Sequence, residues 1–160
     1  MTLDNGVVRQ RIAKLVVHAI RPLVVSMVRV DPRPIVKIKA APVMHTLMDV
    51  VVNLGILGRF YPDDNVVEIY VDPIIGHIDE GMVNDAVSGE AVRVRRFTME
   101  VARTAAHEMY HSYQAHTKEP LRTEYESLTE RAARAFAERL LTEHAQVIGR
   151  LCDDIIKEEQ

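Results

Sequence analysis

Residues 57–73 read LGRFYPDDNVVEIYVDP, and this stretch indicates that the fold contains strands as well as helices. The run over 66–72 is rich in β-branched and aromatic residues, and a shorter run of similar kind occupies 57–61. The four residues between them, PDDN at 62–65, are residues that favour turns. The stretch therefore predicts a β-hairpin whose strands cover Leu57–Tyr61 and Val66–Asp72.

The segment before the hairpin predicts a mixture of helix and strand. Apolar residues from Val7 to about Val30 recur at helical spacing, with Pro22 expected to kink or divide that helix. The sequence IVKIK at 35–39 alternates like a short strand. PVMHTLMDVVVNLG at 42–55 predicts a second helix that begins at its proline and ends at its glycine.

The segment after the hairpin is predicted to be mainly helical. Residues 74–91 contain three glycines and no clean period, which indicates an ordered loop or lid. A long helix is expected from about Val94 to His116, and another from about Thr123 towards the C-terminus, bent near Gly149. Helices segregated from a small sheet give an α+β fold class.

Composition limits the classes of partner. A chain of 160 residues, 48% hydrophobic and 27% charged, has the size and profile of one soluble globular domain. Its net charge of −3 lacks the basic excess of a nucleic-acid binder, so no nucleic-acid partner is expected. It has no long uncharged apolar stretch, so no membrane span is expected. The single cysteine, Cys152, cannot form an internal disulfide, which favours a cytoplasmic location.

The residues HEMYH at 107–111 lie inside the predicted helix Val94–His116. His107 and His111 are four residues apart, so their imidazoles lie one above the other and can hold one tetrahedral metal ion. Glu108 is turned by about 100° and can reach an open coordination position from the side. Two ligands and a carboxylate that takes a proton from water are what metal-assisted hydrolysis requires. The alternative is an ordinary charged helix without a metal.

The opposite side of the same helix carries an apolar stripe. Its members are Val101, Ala105, Met109 and Ser112. This stripe is expected to pack on the sheet. The two histidines would then point away from it, into a cleft.

A catalytic zinc ion usually has three protein ligands and one water, so a third ligand is needed. Glu130 on the last helix shares its face with Ala133 and Ala137. A carboxylate on such a face is costly to bury unless a cation compensates it, and small alanines let two helices approach closely. Glu130 is therefore the expected third ligand, although it could instead be a partly exposed acid paired with Arg134. Glu126, one turn earlier, either orients a ligand or is itself the ligand.

Five more side chains are candidates for a role near the metal. Tyr110, Tyr113 or His116 would offer a hydrogen bond to the oxyanion of a transition state, although Tyr113 falls with the apolar face and His116 almost opposite the ligands. Glu100 and Gln114 are each seven residues from a histidine on the same side of the helix. They either orient the histidine rings or face solvent.

HEMYH, followed after eighteen residues by ERAARAFA, resembles the gluzincin metallopeptidases, whose pattern is His-Glu-x-x-His and a downstream Glu-x-x-Ala. NVVEIYVDP at 65–73 resembles the sheet before the active-site helix in small members, the minigluzincins and ImmA/IrrE-type peptidases. Tyr110 and Arg134 depart from the Gly and the Asn or Asp common at those positions. The resemblance covers about 57–141.

The resemblance implies a zincin-like core over 57–141, with an N-terminal helical and strand extension at 1–56 and a helical tail at 142–160, all in one domain of residues 1–160. The short sheet would pack on the HExxH helix, and a C-terminal helix would carry the last ligand.

It also implies that His107, His111 and Glu130 bind one Zn²⁺ per chain and that Glu108 is the general base. A peptide or protein substrate would lie extended against an edge strand near 66–71. The expected function is zinc-dependent hydrolysis of peptide bonds. The alternative is a regulatory or interaction module, or a latent zymogen, that binds zinc with little turnover. An intact Glu108 favours the enzyme.

Overall fold

The computed structural model describes residues 2–43, 55–85, 89–117 and 126–159. These residues form five helices and three strands. Their order is α1 (Gly6–Met27), β1 (Ile35–Lys39), β2 (Gly58–Tyr61), β3 (Val66–Tyr70), α2 (Val71–Met82), α3 (Glu90–His116), α4 (Glu126–Glu143) and α5 (Ala145–Glu159). The α+β class predicted from the sequence is confirmed.

The three strands form one sheet in the order β1-β3-β2. β2 and β3 are the predicted antiparallel hairpin, and β1 is the predicted strand IVKIK, which pairs with β3 in parallel. The expectation that the strand near 66–71 forms an edge is wrong, because β3 has a partner on each side. The hairpin pattern could not reveal this, since β1 comes from a distant part of the chain. Among the strands of the described residues, β1 and β2 form the edges of the sheet.

The hairpin turn fixes the sheet to the long helix α3. Asn65 has a φ of 50°, in the left-handed region that Asn tolerates better than most residues. The side-chain Oδ1 of Asn65 accepts a hydrogen bond of 2.7 Å from Ser112 Oγ on α3. Its side-chain Nδ2 donates to the backbone oxygen of Pro32 at 3.1 Å. One turn residue therefore ties the hairpin both to α3 and to the segment before β1.

Helix α3 is the centre of the fold. It packs against α1, α2, α4 and α5 and against strands β2 and β3. Its predicted apolar stripe is buried. The core around it also includes side chains from both ends of the described chain, such as Ile12 and Val16 of α1 and Ile148 and Cys152 of α5.

The expected loop or lid at 74–91 is wrong over 74–82, which belongs to helix α2 (Val71–Met82), and at 90–91, where α3 begins. Val71, Ile74 and Ile78 lie at helical spacing and are buried, which compensates for the glycines in the segment. Gly76 faces open space, so its lack of a side chain costs no packing. Residues 86–88 lie outside the described part.

Other boundaries differ from the prediction in smaller ways. Helix α1 continues through Pro22 without division. The C-terminal region is two helices that meet at His144, and the bend expected near Gly149 is wrong, since Gly149 lies inside α5. The break lets α5 direct Ile148, Cys152 and Ile155 into the core. The helix predicted at 42–55 lies almost wholly outside the described residues. Of the described helices, none is long and apolar enough to cross a membrane.

Candidate metal centre

Helices α3 and α4 bring His107, His111 and Glu130 together. His107 Nε2 lies 3.0 Å from His111 Nε2. The two oxygens of the Glu130 carboxylate lie 3.2 Å from His107 Nε2 and 3.0 Å from His111 Nε2. One nitrogen from each ring and one carboxylate oxygen therefore surround a single point between the helices.

These distances fit a tetrahedral zinc ion. Zinc binds His nitrogen and carboxylate oxygen at about 2.0–2.2 Å, so its tetrahedral ligands are separated by about 3.3 Å. The two ring nitrogens are 3.0 Å apart, slightly closer than this value, and each lies 3.0–3.2 Å from a different oxygen of Glu130. His107, His111 and Glu130 would be the residues that hold such an ion.

The imidazole of His107 is held in its neutral form. Burial lowers its pKa, and the neighbouring His111 and Arg134 lower it further, against an opposing effect of Glu130. A neutral imidazole keeps the lone pair that a metal ion requires. His107 is thus suited to bind a cation at neutral pH.

Glu108 is buried beside the three residues, with 9% of its surface exposed. Burial, reinforced by the negative charge of Glu130, raises the pKa of the Glu108 carboxyl to about 8. A hydrogen bond from the backbone N–H of Phe60 on β2 and the positive charge of Arg59 oppose this shift. A cation between the histidines and Glu130 would offset the repulsion from Glu130 and lower the pKa of Glu108 again.

The site opens into a cleft of about 860 Å³ between β2, α3 and α4. His107, Glu108 and His111 line one wall, Glu130 another, and Gly58 the side of the sheet. A Cβ on Gly58 would lie 2.7 Å from Thr104 Cγ2 and 3.0 Å from Glu108 Cγ. A glycine is needed here because β2 approaches α3 so closely. The helices α2 and α5 contribute no residue to the cleft wall described here.

The three candidates for oxyanion stabilisation do not line this cleft. Tyr110 stacks on Phe136 with ring centroids 4.5 Å apart, and Tyr113 packs beside it. The Nδ1 atom of His116 lies 2.7 Å from the backbone oxygen of Ser112. These rings contribute to packing and to the end of α3 rather than to the metal centre.

The two expected orienting residues differ in their contacts. Gln114 is hydrogen-bonded to His111, with 2.8 Å between Gln114 Oε1 and His111 Nδ1. Glu100 is instead paired with Arg103, whose Nε also donates to Glu138 Oε1 of α4 at 2.6 Å. Arg103 and Gly58 are cleft residues that the motif search missed, because neither belongs to the His-Glu-x-x-His pattern.

The two alternatives for the third ligand are partly resolved by these contacts. Glu130 contacts both histidines, and Arg134 lines the cleft near them. The side chain of Glu126, the first residue of α4, lies outside the described part, so the alternative that it binds or orients the metal stays a prediction.

The chain was also compared with known proteins. No protein-family model, no curated protein and no solved structure matches it. The resemblance to gluzincin metallopeptidases therefore rests on the motif residues and their spacing alone.

Proposed function

We propose that the protein is a zinc-dependent metallopeptidase. The observation that carries the proposal is the convergence of His107, His111 and Glu130 within about 3 Å of one another, with the buried acid Glu108 beside them. A structural metal site closes all four positions with protein ligands, whereas a catalytic one has three and an open position. Three candidate ligands at the wall of an open cleft favour catalysis.

Zinc would supply Lewis acidity and make a water molecule acidic enough to lose a proton near neutral pH. The carboxylate of Glu108 would take that proton and later give it to the leaving amine. Burial raises the pKa of the Glu108 carboxyl to about 8, and a bound cation would lower it, which favours the ionised form that takes the proton. The N–H of Phe60 holds the carboxylate in place between β2 and α3.

The peptide substrate would lie along β2 rather than along β3, since β2 is the edge strand beside the cleft. In the antiparallel register, Tyr70 N donates to Leu57 O at 2.9 Å. Pairing alternates along the ladder, so the backbone groups of Gly58 and Phe60 point away from β3. The Phe60 N–H is taken up by Glu108, so a substrate in extended form would pair with the backbone groups of Gly58 and the carbonyl of Phe60. A cytoplasmic location would suit the buried thiol of Cys152.

The proposal is tested by Glu108→Gln. This change keeps the size of the side chain but removes its capacity to take a proton. We expect zinc content near one ion per chain in both proteins and peptide hydrolysis reduced about 10²-fold or more in the variant. Zinc is measured by elemental analysis and hydrolysis with unfolded protein substrates. Glu80→Gln, an exposed glutamate on α2, is the matched control and should retain full activity.

Four outcomes are possible. Loss of hydrolysis with retained zinc supports a peptidase in which Glu108 is the base. Equal hydrolysis in both proteins contradicts that role. A wild-type protein that binds zinc but hydrolyses nothing contradicts the peptidase and favours the regulatory or latent module, and a protein that takes up no zinc contradicts both.

A further inference from the structure

Gln114 is a buried neutral residue that joins the two ligand-bearing helices. It lies on α3 with 8% of its surface exposed. Its Oε1 is 2.8 Å from His111 Nδ1, and its Nε2 donates to the backbone oxygen of Thr129 on α4 at 3.1 Å. We infer that Gln114 is a positioning residue that fixes the tautomer of His111 and holds α4 in register with α3. This inference rests on the proposed metal site.

The tautomer follows from the direction of the two hydrogen bonds. The backbone oxygen of Thr129 can only accept, so the NH₂ group of Gln114 must face it. The amide oxygen of Gln114 then faces His111 Nδ1, and an oxygen of this kind also only accepts. His111 Nδ1 must therefore carry the hydrogen, which leaves the lone pair of His111 on Nε2.

This tautomer favours a metal over a hydrogen bond. His111 Nε2 lies 3.0 Å from a carboxylate oxygen of Glu130. With its lone pair on Nε2, His111 cannot donate to that oxygen, and two electron-rich atoms face each other. Without Gln114 the ring could hold its hydrogen on Nε2 and bond to Glu130. Gln114 therefore keeps His111 ready for a cation, at a cost in stability while no cation is bound.

The second hydrogen bond places the third ligand. Thr129 is the residue before Glu130, so the contact between Gln114 and the Thr129 oxygen fixes α4 next to the ligand itself. A shift of α4 along α3 would break this contact and move the Glu130 carboxylate away from the histidines. One amide group thus sets both the chemistry of His111 and the position of Glu130.

The two roles can be separated with two substitutions. Gln114→Leu removes both hydrogen bonds. Gln114→Glu keeps an acceptor for His111 Nδ1 but loses the donor to Thr129. Gln146→Leu, at an exposed site on α5, is the matched control. Circular dichroism and urea unfolding establish that each variant is folded before it is compared.

The first measurement is the tautomer of His111, from nitrogen-15 chemical shifts of its ring in protein kept in chelator. We expect the hydrogen on Nδ1 in the wild type, in Gln114→Glu and in the control, and substantial Nε2–H in Gln114→Leu. The second is affinity for Zn²⁺ and Co²⁺ by competition with a chelating dye, with the visible spectrum of bound Co²⁺ as a check on geometry. Gln114→Leu should bind about 10- to 100-fold more weakly.

Gln114→Glu should recover most of that affinity, because carboxylates are common partners of metal-binding histidines. Its urea stability should still fall, since the tie to α4 is gone. An unchanged tautomer in Gln114→Leu, or metal affinity within twofold of wild type, would overturn the inference. The tautomer is measured without metal or substrate, so an inactive wild-type protein would contradict the proposed function while this measurement still decided the role of Gln114.

Discussion

Two glutamates with similar solvent exposure, Glu68 on β3 and Glu108 on α3, have carboxyl pKa values that are shifted in opposite directions. Their exposed fractions are 7% and 9%. Burial tends to raise the pKa of both carboxyls, but at Glu68 hydrogen bonds from Lys39 and Tyr70 outweigh it and the net pKa is lowered. At Glu108 only the N–H of Phe60 and the charge of Arg59 oppose burial, and the pKa rises to about 8. Glu108 is also packed more deeply in the protein than Glu68, so depth and hydrogen-bond donors together set the direction of each shift.

The difference separates a self-contained cluster around Glu68 from the candidate metal centre. The carboxylate of Glu68 accepts from Tyr70 Oη at 2.7 Å and Tyr61 Oη at 3.3 Å and is paired with Lys39 Nζ at 2.5 Å, so its oxygens are satisfied within the protein. At the candidate metal centre, Glu108 accepts a hydrogen bond from the backbone N–H of Phe60, and the Glu130 carboxylate faces the ring nitrogens of His107 and His111. A proton or a cation between these groups would reduce the electrostatic cost of burying them.

The largest effect is expected from removal of a ligand in the candidate metal centre. Glu130→Ala removes one of three candidate ligands and should therefore weaken zinc binding by at least about 10³-fold. This loss is larger than the 10- to 100-fold loss typical of residues that only orient a ligand. Glu126→Ala should stay within that smaller range. Zinc titration of each single variant measures both effects.

Two controls sharpen the comparison with the self-contained cluster. Glu143→Ala removes an exposed glutamate from the same helix, and Glu68→Gln removes the charge of the other buried acid. Both should bind zinc as the wild type does. If Glu126→Ala abolishes binding and Glu130→Ala does not, the assignment of the third ligand is wrong.

The sequence predicted the candidate metal centre better than the sheet that supports it. The four-residue spacing of His107 and His111 and the alanines after Glu130 are local helical patterns, and helical periodicity determines which side chains share a face. The hairpin was equally local. The central position of β3 depends on pairing with β1 across 26 residues of intervening chain, which no local pattern encodes.

Two site residues depend on the packing of distant elements, which the sequence alone could not predict. Gln114 could be placed beside a histidine by counting turns, but its bond to Thr129 depends on how α4 returns across α3. Gly58 carries no chemistry, and its importance comes only from the close approach of β2 to α3. The helix α2 was not predicted, because glycines between its apolar residues obscured their helical spacing. A glycine that faces solvent removes no packing from such a helix.

An effect of intermediate size is expected in the pH dependence of stability in chelator. The pKa of Glu108 rises from 4.5 to about 8 on folding. Between these values the folded state holds a proton that the unfolded state has lost, so this group makes stability fall as the pH rises. Glu108→Gln removes that dependence. Relative to wild type, the variant should gain a few kcal/mol from pH 5 to pH 8, as measured by urea unfolding.

The quantity to compare is the difference in stability between wild type and Glu108→Gln. His107 is present in both proteins, and below pH 6.5 it changes stability with pH in the opposite sense to Glu108. Its pKa is lowered, so its contribution to stability grows as the pH rises towards 6.5. Glu68→Gln serves as the contrasting variant. The pKa of Glu68 is lowered, so its contribution is present above pH 4.5 and is lost as the pH falls through the folded value. Parallel curves for wild type and Glu108→Gln would contradict the raised pKa.

The smallest effect is expected at Gly58, where the two regions meet. A Cβ there would lie 2.7 Å from Thr104 Cγ2, 3.0 Å from Glu108 Cγ and 3.1 Å from the backbone oxygen of Glu68. Gly58→Ala must therefore push β2 away from α3, and overpacking of this kind costs about 1–3 kcal/mol. Urea unfolding measures that cost.

Gly76→Ala is the matched control for Gly58→Ala, since a Cβ at Gly76 meets no atom within 4 Å and the position is helical. It should stabilise the protein by about 0.5–1 kcal/mol. Thr104→Ser removes the nearest clashing methyl, so the double variant Gly58→Ala/Thr104→Ser should recover part of the loss. If steric contact with α3 causes the loss of stability in Gly58→Ala, its effect is coupled to that of Thr104→Ser, because the smaller side chain at 104 lets β2 return towards Glu108. Strictly additive effects would mean that Gly58 matters through the flexibility of β2 instead, and the close packing of the sheet on Glu108 would not depend on this glycine.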